Sequence, residues 1–246
     1  MKDHFSKQAS DYARFRPDYP DSLITFLLSQ TAQRDSAWDC GTGNGQLAAM
    51  LAPHFKTVFA TDISKEQLAQ APSIENVRYK QEAAGTSEFA DQQFNLITVA
   101  QAIHWFPFNS FYADVYRCLR NDGLFAAAGY GLLHISPKVD VVIRHFYENI
   151  VGPYWDPERR HIDAEYATIP FPFKEIPVPQ LVQRYQWTLA QLTGYLNTWS
   201  AVTHYSKATG VQPLDQITHE LKDAWGETDT HEVAFPILLR AGRKVH

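Results

Sequence analysis

Apolar positions along the chain follow one rhythm up to about residue 130 and another beyond it. In the first part, short apolar runs alternate with stretches of helical spacing. Leu23, Phe26 and Leu27 share a helical face, predicting a helix over 22–32 with Asp21 as its N-cap. Residues 36–40 read as a short strand, and 46–52 as a helix with Leu47, Met50 and Leu51 on one side, ended by Pro53. A second strand over 56–61 stops at Asp62, and Ser64 caps a short helix over 65–71. A third strand is predicted at 77–80. Residues 94–100 are almost continuously apolar, as in a strand covered on both faces. A helix over 109–120, the turn Asn121-Asp122-Gly123 and a buried strand over 124–129 complete the series. Strands alternating with helices predict βαβ units, a parallel sheet and right-handed crossovers.

Beyond Tyr130 the spacing changes. Val139, Val142, Ile143, Phe146 and Ile150 predict a helix over 137–150. Prolines at 170, 172, 177 and 179 then punctuate a segment with little periodicity. Residues 131–180 read as an insertion of the kind that forms a lid or pocket wall. A strand over 180–188, helices over 189–206 and 213–225, and a closing strand over 231–243 follow. Pro236 weakens the expected ladder of that last strand. No repeat is evident, and residues 1–246 read as a single domain.

Composition narrows the function. Of 246 residues, 45% are hydrophobic and 20% charged, ordinary for a globular chain with a normal core. The net charge of −5 provides no global field for nucleic acid or an acidic membrane, although Arg14/Arg16 and Arg159/Arg160 leave a small local basic spot open. The two cysteines, Cys40 and Cys118, have neither disulfide nor metal-ligand spacing, and the histidines show none either. With no signal peptide and no long apolar run, a cytoplasmic protein without a metal is expected.

The chemistry concentrates at Asp39-Cys40-Gly41-Thr42-Gly43-Asn44-Gly45, between a predicted strand and a predicted helix. An isolated Gly-x-Gly is often only a turn. Here glycine lets backbone approach a ligand closely, and the following helix begins with free N–H groups. Asp62 ends the next strand, where a carboxylate can accept two hydrogen bonds from a ribose. A dinucleotide site would continue as Gly-x-Gly-x-x-Gly, but Gln46 stands at the third glycine's place. Asp39 beside the turn would repel a pyrophosphate and suit an amino group. Both features favour an aminoacyl nucleoside, S-adenosylmethionine, over NAD.

The run Trp38-Asp39-Cys40-Gly41-Thr42-Gly43-Asn44-Gly45-Gln46-Leu47-Ala48 resembles motif I of the class I S-adenosylmethionine-dependent methyltransferases. Ala60-Thr61-Asp62-Ile63-Ser64 resembles the ribose-binding end of their second strand. Residues 94–106, ending in Gln101-Ala102-Ile103-His104-Trp105-Phe106, resemble their fourth strand and the loop after it. Arg16-Pro17-Asp18-Tyr19-Pro20, His104-Trp105-Phe106 and Tyr154-Trp155-Asp156-Pro157-Glu158-Arg159 are similar to the type-11 branch that includes trans-aconitate methyltransferase-like proteins. The resemblance implies a Rossmann-like α/β fold: a seven-stranded, mostly parallel sheet, last strand antiparallel, helices on both faces and a lid after strand five. It places Gly41, Thr42 and Gly43 at the methionine part and Asp39 at its amino group. Asp62 would take the ribose, Ile63 the adenine face and Ala83 and Ala84 the adenine edge. Many relatives carry an acidic side chain in that last loop; Glu82 is near it but out of the expected register. Gln101 and Ala102 would lie near the sulfonium. Residues 1–20 would cover the cofactor through Tyr12 and Arg16, unless Arg16 is a surface charge.

The resemblance implies methyl transfer to a small-molecule acceptor, with a carboxylic acid as one candidate and no nucleic acid or membrane partner. The enzyme would be a monomer or homodimer. An alcohol or amine acceptor must lose a proton, whereas a carboxylate need not. His104 and Tyr130, both at the strand edge where α/β ligands bind, are the catalytic candidates. His104 reads equally as a structural histidine beside Trp105, and Tyr130 is open in the same way. Trp105, Trp155 and Arg159 would contact the acceptor, an arginine fork suiting an acid; Arg159 and Arg160 also read as a solvated helix start. Trp199 and His204 read as core. A cofactor-binding regulatory protein without turnover and an NAD-linked oxidoreductase remain alternatives.

Overall fold

The computed structural model describes residues 15–244. Five parallel strands form its centre: β1 (Ser36–Cys40), β2 (Thr57–Asp62), β3 (Val77–Gln81), β4 (Phe94–Ala100) and β5 (Leu119–Tyr130). The last strand, β8 (His231–Arg243), joins β5 antiparallel. Its other edge takes β6 (Lys174–Glu175) and β7 (Leu181–Trp187), also antiparallel, so two short segments share one outer position. The order is β3-β2-β1-β4-β5-β8-β6, with β7 beside β6's place on β8. This is the expected Rossmann-like sheet with its outermost position split in two.

Alternation across the pleat builds the core. Ala37, Leu96 and Leu124 pair across β1, β4 and β5 and pack into one hydrophobic layer. The next residues, Trp38, Ile97 and Phe125, form the second layer on the opposite face. Helices α1 (Asp21–Ser29) and α2 (Gln46–Leu51) supply Leu23, Leu27, Leu47 and Leu51 to the first layer. Helix α4 (Phe108–Cys118) supplies Phe111 and Val115 to the second. Burial on both faces explains why β4 and β5 lack a polar stripe. Helix α3 (Lys65–Leu68) is a single turn, capped by Ser64 as expected, its side chain accepting from the Gln67 N–H.

Several boundaries differ from the expectations. Asp21 is not the N-cap of α1 but its first residue; Pro20 precedes it in an extended conformation, and Asp21 lies in the acidic first turn that the helix dipole favours. The helix expected over 137–150 is α5 (Pro137–His145), which widens into a π turn over Phe146–Ile150. The segment expected as 189–206 divides into α7 (Leu189–Asn197) and α8 (Ser200–Thr209), because Thr198 and Trp199 leave the helix. A short α6 (Arg160–Asp163) lies in the insertion, and α9 (Thr218–Trp225) precedes β8. Pro236 does not break β8: it sits opposite Val182, and its carbonyl accepts from the Gly131 N–H at 3.0 Å.

Candidate functional site

At the carboxyl ends of β1, β2, β4 and β5 the chain leaves the sheet in loops, and a cavity of about 970 Å³, including its open mouth, lies among them. Gly41, Thr42, Gly43, Asp62, Ile63, Ala84, Gln101, Ala102, Trp105, Tyr130 and Arg16 all line it. Gly41 has φ +71°, and a Cβ there would stand 2.7 Å from Ala102 Cβ and 2.9 Å from the Phe106 ring. Only glycine permits that approach. A Cβ on Gly43 would meet nothing within 4 Å, so this stretch presents bare backbone to the cavity.

The loop's N–H groups are mostly used within the protein. Gly41 and Thr42 both donate to the Thr61 carbonyl, at 2.7 and 2.9 Å. Gly43 donates to Asp62 Oδ2 at 2.8 Å, and Ser64 to Asp62 Oδ1 at the same distance. Gly41, Thr42 and Gly43 thus bond back to β2; the N–H groups expected to be free are those of the first turn of α2, and these bonds do not involve them. A pyrophosphate would need the loop's donors, whereas a ligand without phosphates does not.

Asp39 lies below the cavity, not in its wall. It is fully buried, accepting from Thr42 Oγ1 at 2.6 Å and Thr98 Oγ1 at 2.8 Å. Burial pushes its carboxyl up to about 6, against the pull of those two hydroxyls. Asp39 thus shapes the loop through Thr42. Ala83 does not line the cavity either, whereas its neighbour Glu82 does. Strand β3 runs one residue further than predicted, and Glu82 N–H still donates to the Asp62 carbonyl at 2.9 Å. That extension turns Glu82 inward. Its Oε1 accepts from Lys80, while its buried Oε2 has no hydrogen-bond partner among the described residues. The signal was in the sequence, an acidic residue directly after a strand, but the predicted boundary set it aside. Tyr12 lies outside the described residues.

A second, smaller cavity of about 420 Å³ adjoins the first. Arg16, Gln101 and Trp105 line both, and His104, Trp155, Asp156 and Arg159 line only the second. The structure thereby brings residues from the lead-in, the β4 loop and the insertion to one place. Gln101 sits at φ +53° with its side chain folded back, Oε1 accepting from the Tyr130 N–H at 2.9 Å. Tyr130 lines only the first cavity, where its hydroxyl accepts from Arg16 Nη1 at 3.0 Å; Arg16 Nη2 donates to the Thr198 carbonyl. Arg16 is therefore bound into the fold and is no loose surface charge.

Arg159 donates from Nε to the Tyr147 hydroxyl at 2.7 Å and lies 3.4 Å from Asp163. Its guanidinium stacks on Trp155, 4.7 Å from the ring centre. His104 is buried, with Nδ1 sealed and lacking a hydrogen-bond partner among the described residues. Burial, followed by the charges of Arg159, His161 and Arg16, lowers its pKa to about 3. The ring is neutral at ordinary pH. Buried N–H groups are left unpaired more rarely than buried acceptors, so with Nδ1 sealed this environment favours the tautomer protonated on Nε2. Arg160 is exposed, Trp199 is core, and His204 bonds to the Tyr154 carbonyl. No cluster of metal-ligating side chains occurs among the described residues, and no helix there is long and apolar enough to cross a membrane.

The same architecture recurs in known proteins. The methyltransferase domain family matches residues 38–127. A protein of Dictyostelium discoideum named as a methyltransferase is 33% identical over 250 residues, covering 98% of this chain and 95% of its own. The yeast Saccharomyces cerevisiae protein CRG1, named as an S-adenosylmethionine-dependent methyltransferase, is 24% identical and covers 88% of this chain and 87% of its own. A solved structure from Anaeromyxobacter dehalogenans, described as a type II methyltransferase, superposes with a TM-score of 0.87 at 38% identity, covering 94% of this chain and all of that one. The protein with the glycine loop, Asp62 and the paired cavities thus belongs to the class I S-adenosylmethionine-dependent methyltransferases, in their type-11 branch.

Proposed function

We propose that the protein methylates a small carboxylic acid held in the second cavity, with S-adenosylmethionine in the first. The observation that carries this reading is the lining of the second cavity: two arginines, Arg16 and Arg159, beside a histidine that is neutral at ordinary pH. His104, with its pKa near 3, holds a proton too weakly to be an effective base at neutral pH. The Tyr130 hydroxyl faces the first cavity and already accepts a hydrogen bond from Arg16. An acceptor that needs no deprotonation suits such a site, and a carboxylate is one. The catalytic roles first considered for His104 and Tyr130 therefore give way to binding roles: His104 as a donor from Nε2, Tyr130 as a wall of the first cavity.

The first cavity fits the cofactor on its own terms. The bare backbone at Gly43 meets open space, and the unpartnered Glu82 Oε2 stands ready for a donor such as an amino or hydroxyl hydrogen. Asp62 would hold the ribose, Ile63 and Ala84 the adenine, and Gly41, Gly43 and Ala102 the methionine end. Asp39 would set the loop through Thr42, and Arg16, Pro17 and Tyr19 of the lead-in would cover the cofactor from the first cavity's wall. When bound, the cofactor supplies a methyl group already activated on a positively charged sulfur. The protein's own residues orient the acid through Arg159 and exclude water with Trp105 and Trp155.

The test is methyl transfer from labelled S-adenosylmethionine to a panel of small carboxylic acids. Base-labile methyl esters are the expected products. Base-stable products, or no transfer to any acid by a protein that binds S-adenosylhomocysteine, would reject the reading.

A further inference from the structure

Asp156 lines the second cavity three residues before Arg159, and its carbonyl accepts from the Arg159 N–H at 2.9 Å. Its side chain is only 12% exposed. Oδ2 is sealed and forms no hydrogen bond among the described residues, whereas Oδ1, which also forms none among them, is not sealed and is the oxygen open to a partner. The nearest cationic candidate is His204 Nδ1 at 3.9 Å, but that nitrogen is hydrogen-bonded to the Tyr154 carbonyl at 3.0 Å. Arg159 does not serve Asp156 either: its ion pair is with Asp163, at 3.4 Å, and its Nε is held by Tyr147. A mostly buried carboxylate whose ion-pair candidate is a histidine 3.9 Å away, beyond hydrogen-bonding distance, gains from a closer cationic partner. Trp105 and Trp155 line the same small cavity, and aromatic faces also favour cations.

The opposite preference stands beside it. No described residue bonds to the two Nη atoms of Arg159, and that edge of the guanidinium suits an anion. His104 Nε2 has no hydrogen-bond partner among the described residues and, unlike Nδ1, is not sealed, so a neutral ring protonated on Nε2 would present its N–H to the same space. One cavity of about 420 Å³ therefore carries a demand for a cation and a demand for an anion, unsatisfied by each other.

We propose that the acceptor is a zwitterion, a small carboxylic acid that also carries an ammonium group, with Asp156 taking the ammonium and Arg159 and His104 taking the acid end. This rests on the carboxylic-acid reading above and narrows it. It also explains which atom reacts. An amine held protonated by a carboxylate has no lone pair to offer, so the methyl group goes to oxygen. Asp156 is then a specificity residue: it selects the substrate and protects its nitrogen.

The experiment is calorimetric titration of the full chain saturated with S-adenosylhomocysteine. The probes are unbranched five-carbon acids: pentanoic acid, its 2-, 4- and 5-amino derivatives, and the matching hydroxy acids. At least one amino acid should bind tenfold or more tightly than pentanoic acid and its hydroxy counterpart. Asp156→Asn should abolish that difference without weakening pentanoic acid, Asp156→Glu should retain part of it, and Arg159→Gln should weaken every acid. Unchanged S-adenosylhomocysteine affinity establishes that each variant is folded. Equal binding of amino and parent acids, an equal gain from a hydroxyl, or a preference that survives Asp156→Asn would overturn the proposal. In those cases acids still bind and lose affinity with Arg159→Gln, so the carboxylic-acid reading stands. If no acid binds while S-adenosylhomocysteine does, both fall.

Discussion

Asp39 and His104 are both buried titratable groups near the site, and they pull stability in opposite directions with pH. The folded chain raises the Asp39 carboxyl to about 6 from an ordinary 3.8. Between those values the fold binds a proton that the unfolded chain releases, so this contribution to stability falls as pH rises through the window and is level above it. The fold lowers His104 to about 3 from 6.5, so below 6.5 the unfolded chain gains a proton that the fold refuses, and stability falls on acidification. Thermal melts at pH 7 and 5 separate the two. Relative to the parent, Asp39→Asn should lose ground at pH 5, and His104→Gln should gain ground. Shifts of the same sign would refute one assignment. Asp62 is a different case, because its carboxylate both holds the glycine loop through the Gly43 N–H and faces the cavity. Asp62→Ala should weaken S-adenosylhomocysteine binding by about 1–3 kcal/mol in a titration. Unchanged affinity in a folded variant would remove Asp62 from the ribose role.

At the scale of elements, helix α7 shows how a local signal holds a distant part of the site. Thr188 and Gln191 form a capping box: the Gln191 N–H donates to Thr188 Oγ1 at 3.3 Å, and the Thr188 N–H donates to Gln191 Oε1 at 2.8 Å. The helix it starts carries Tyr195, whose ring lies 5.8 Å from the Arg16 guanidinium. Thr188→Ala should cost about 1 kcal/mol and lower the melting midpoint by a few degrees. S-adenosylhomocysteine affinity should not change, and a parallel loss of affinity would mean that α7 is coupled to the first cavity. The alternation of apolar runs and helical spacing made β1 to β5 legible in advance, because burial on both faces of one sheet sets the apolar runs of β1, β4 and β5. Asp21 was misplaced because an acidic residue suits both an N-cap and a first turn, and only the Pro20 backbone decides. Pro236 raised a doubt that pairing removed, since the lone N–H a proline lacks is tolerated while its carbonyl still bonds to Gly131.

Across the whole molecule, the glycine loop and Asp62 could be read from sequence because their ligand-facing role is local, fixed by where a strand ends. Glu82 was set aside because one residue of strand length decides which way it turns. The second cavity was legible only as a collection of aromatic and charged residues. It combines Arg16, the Gln101–His104 loop and Arg159, three segments that no short spacing links. Family membership makes one global prediction. S-adenosylhomocysteine at a hundredfold excess over its dissociation constant should stabilise the fold by about 2.7 kcal/mol, read as a rise in melting midpoint, with NAD giving none. A comparable rise with NAD would contradict a site selective for S-adenosylmethionine and its product. The placement of Arg16 in both cavity walls has a thermodynamic corollary. Two ligands that press on one guanidinium do not bind independently. Whatever factor the first applies to the affinity of the second, the second returns in equal measure to the first. Cofactor and acceptor dissociation constants measured separately are then two corners of a square, and only the remaining two corners reveal how strongly Arg16 makes each occupancy conditional on the other.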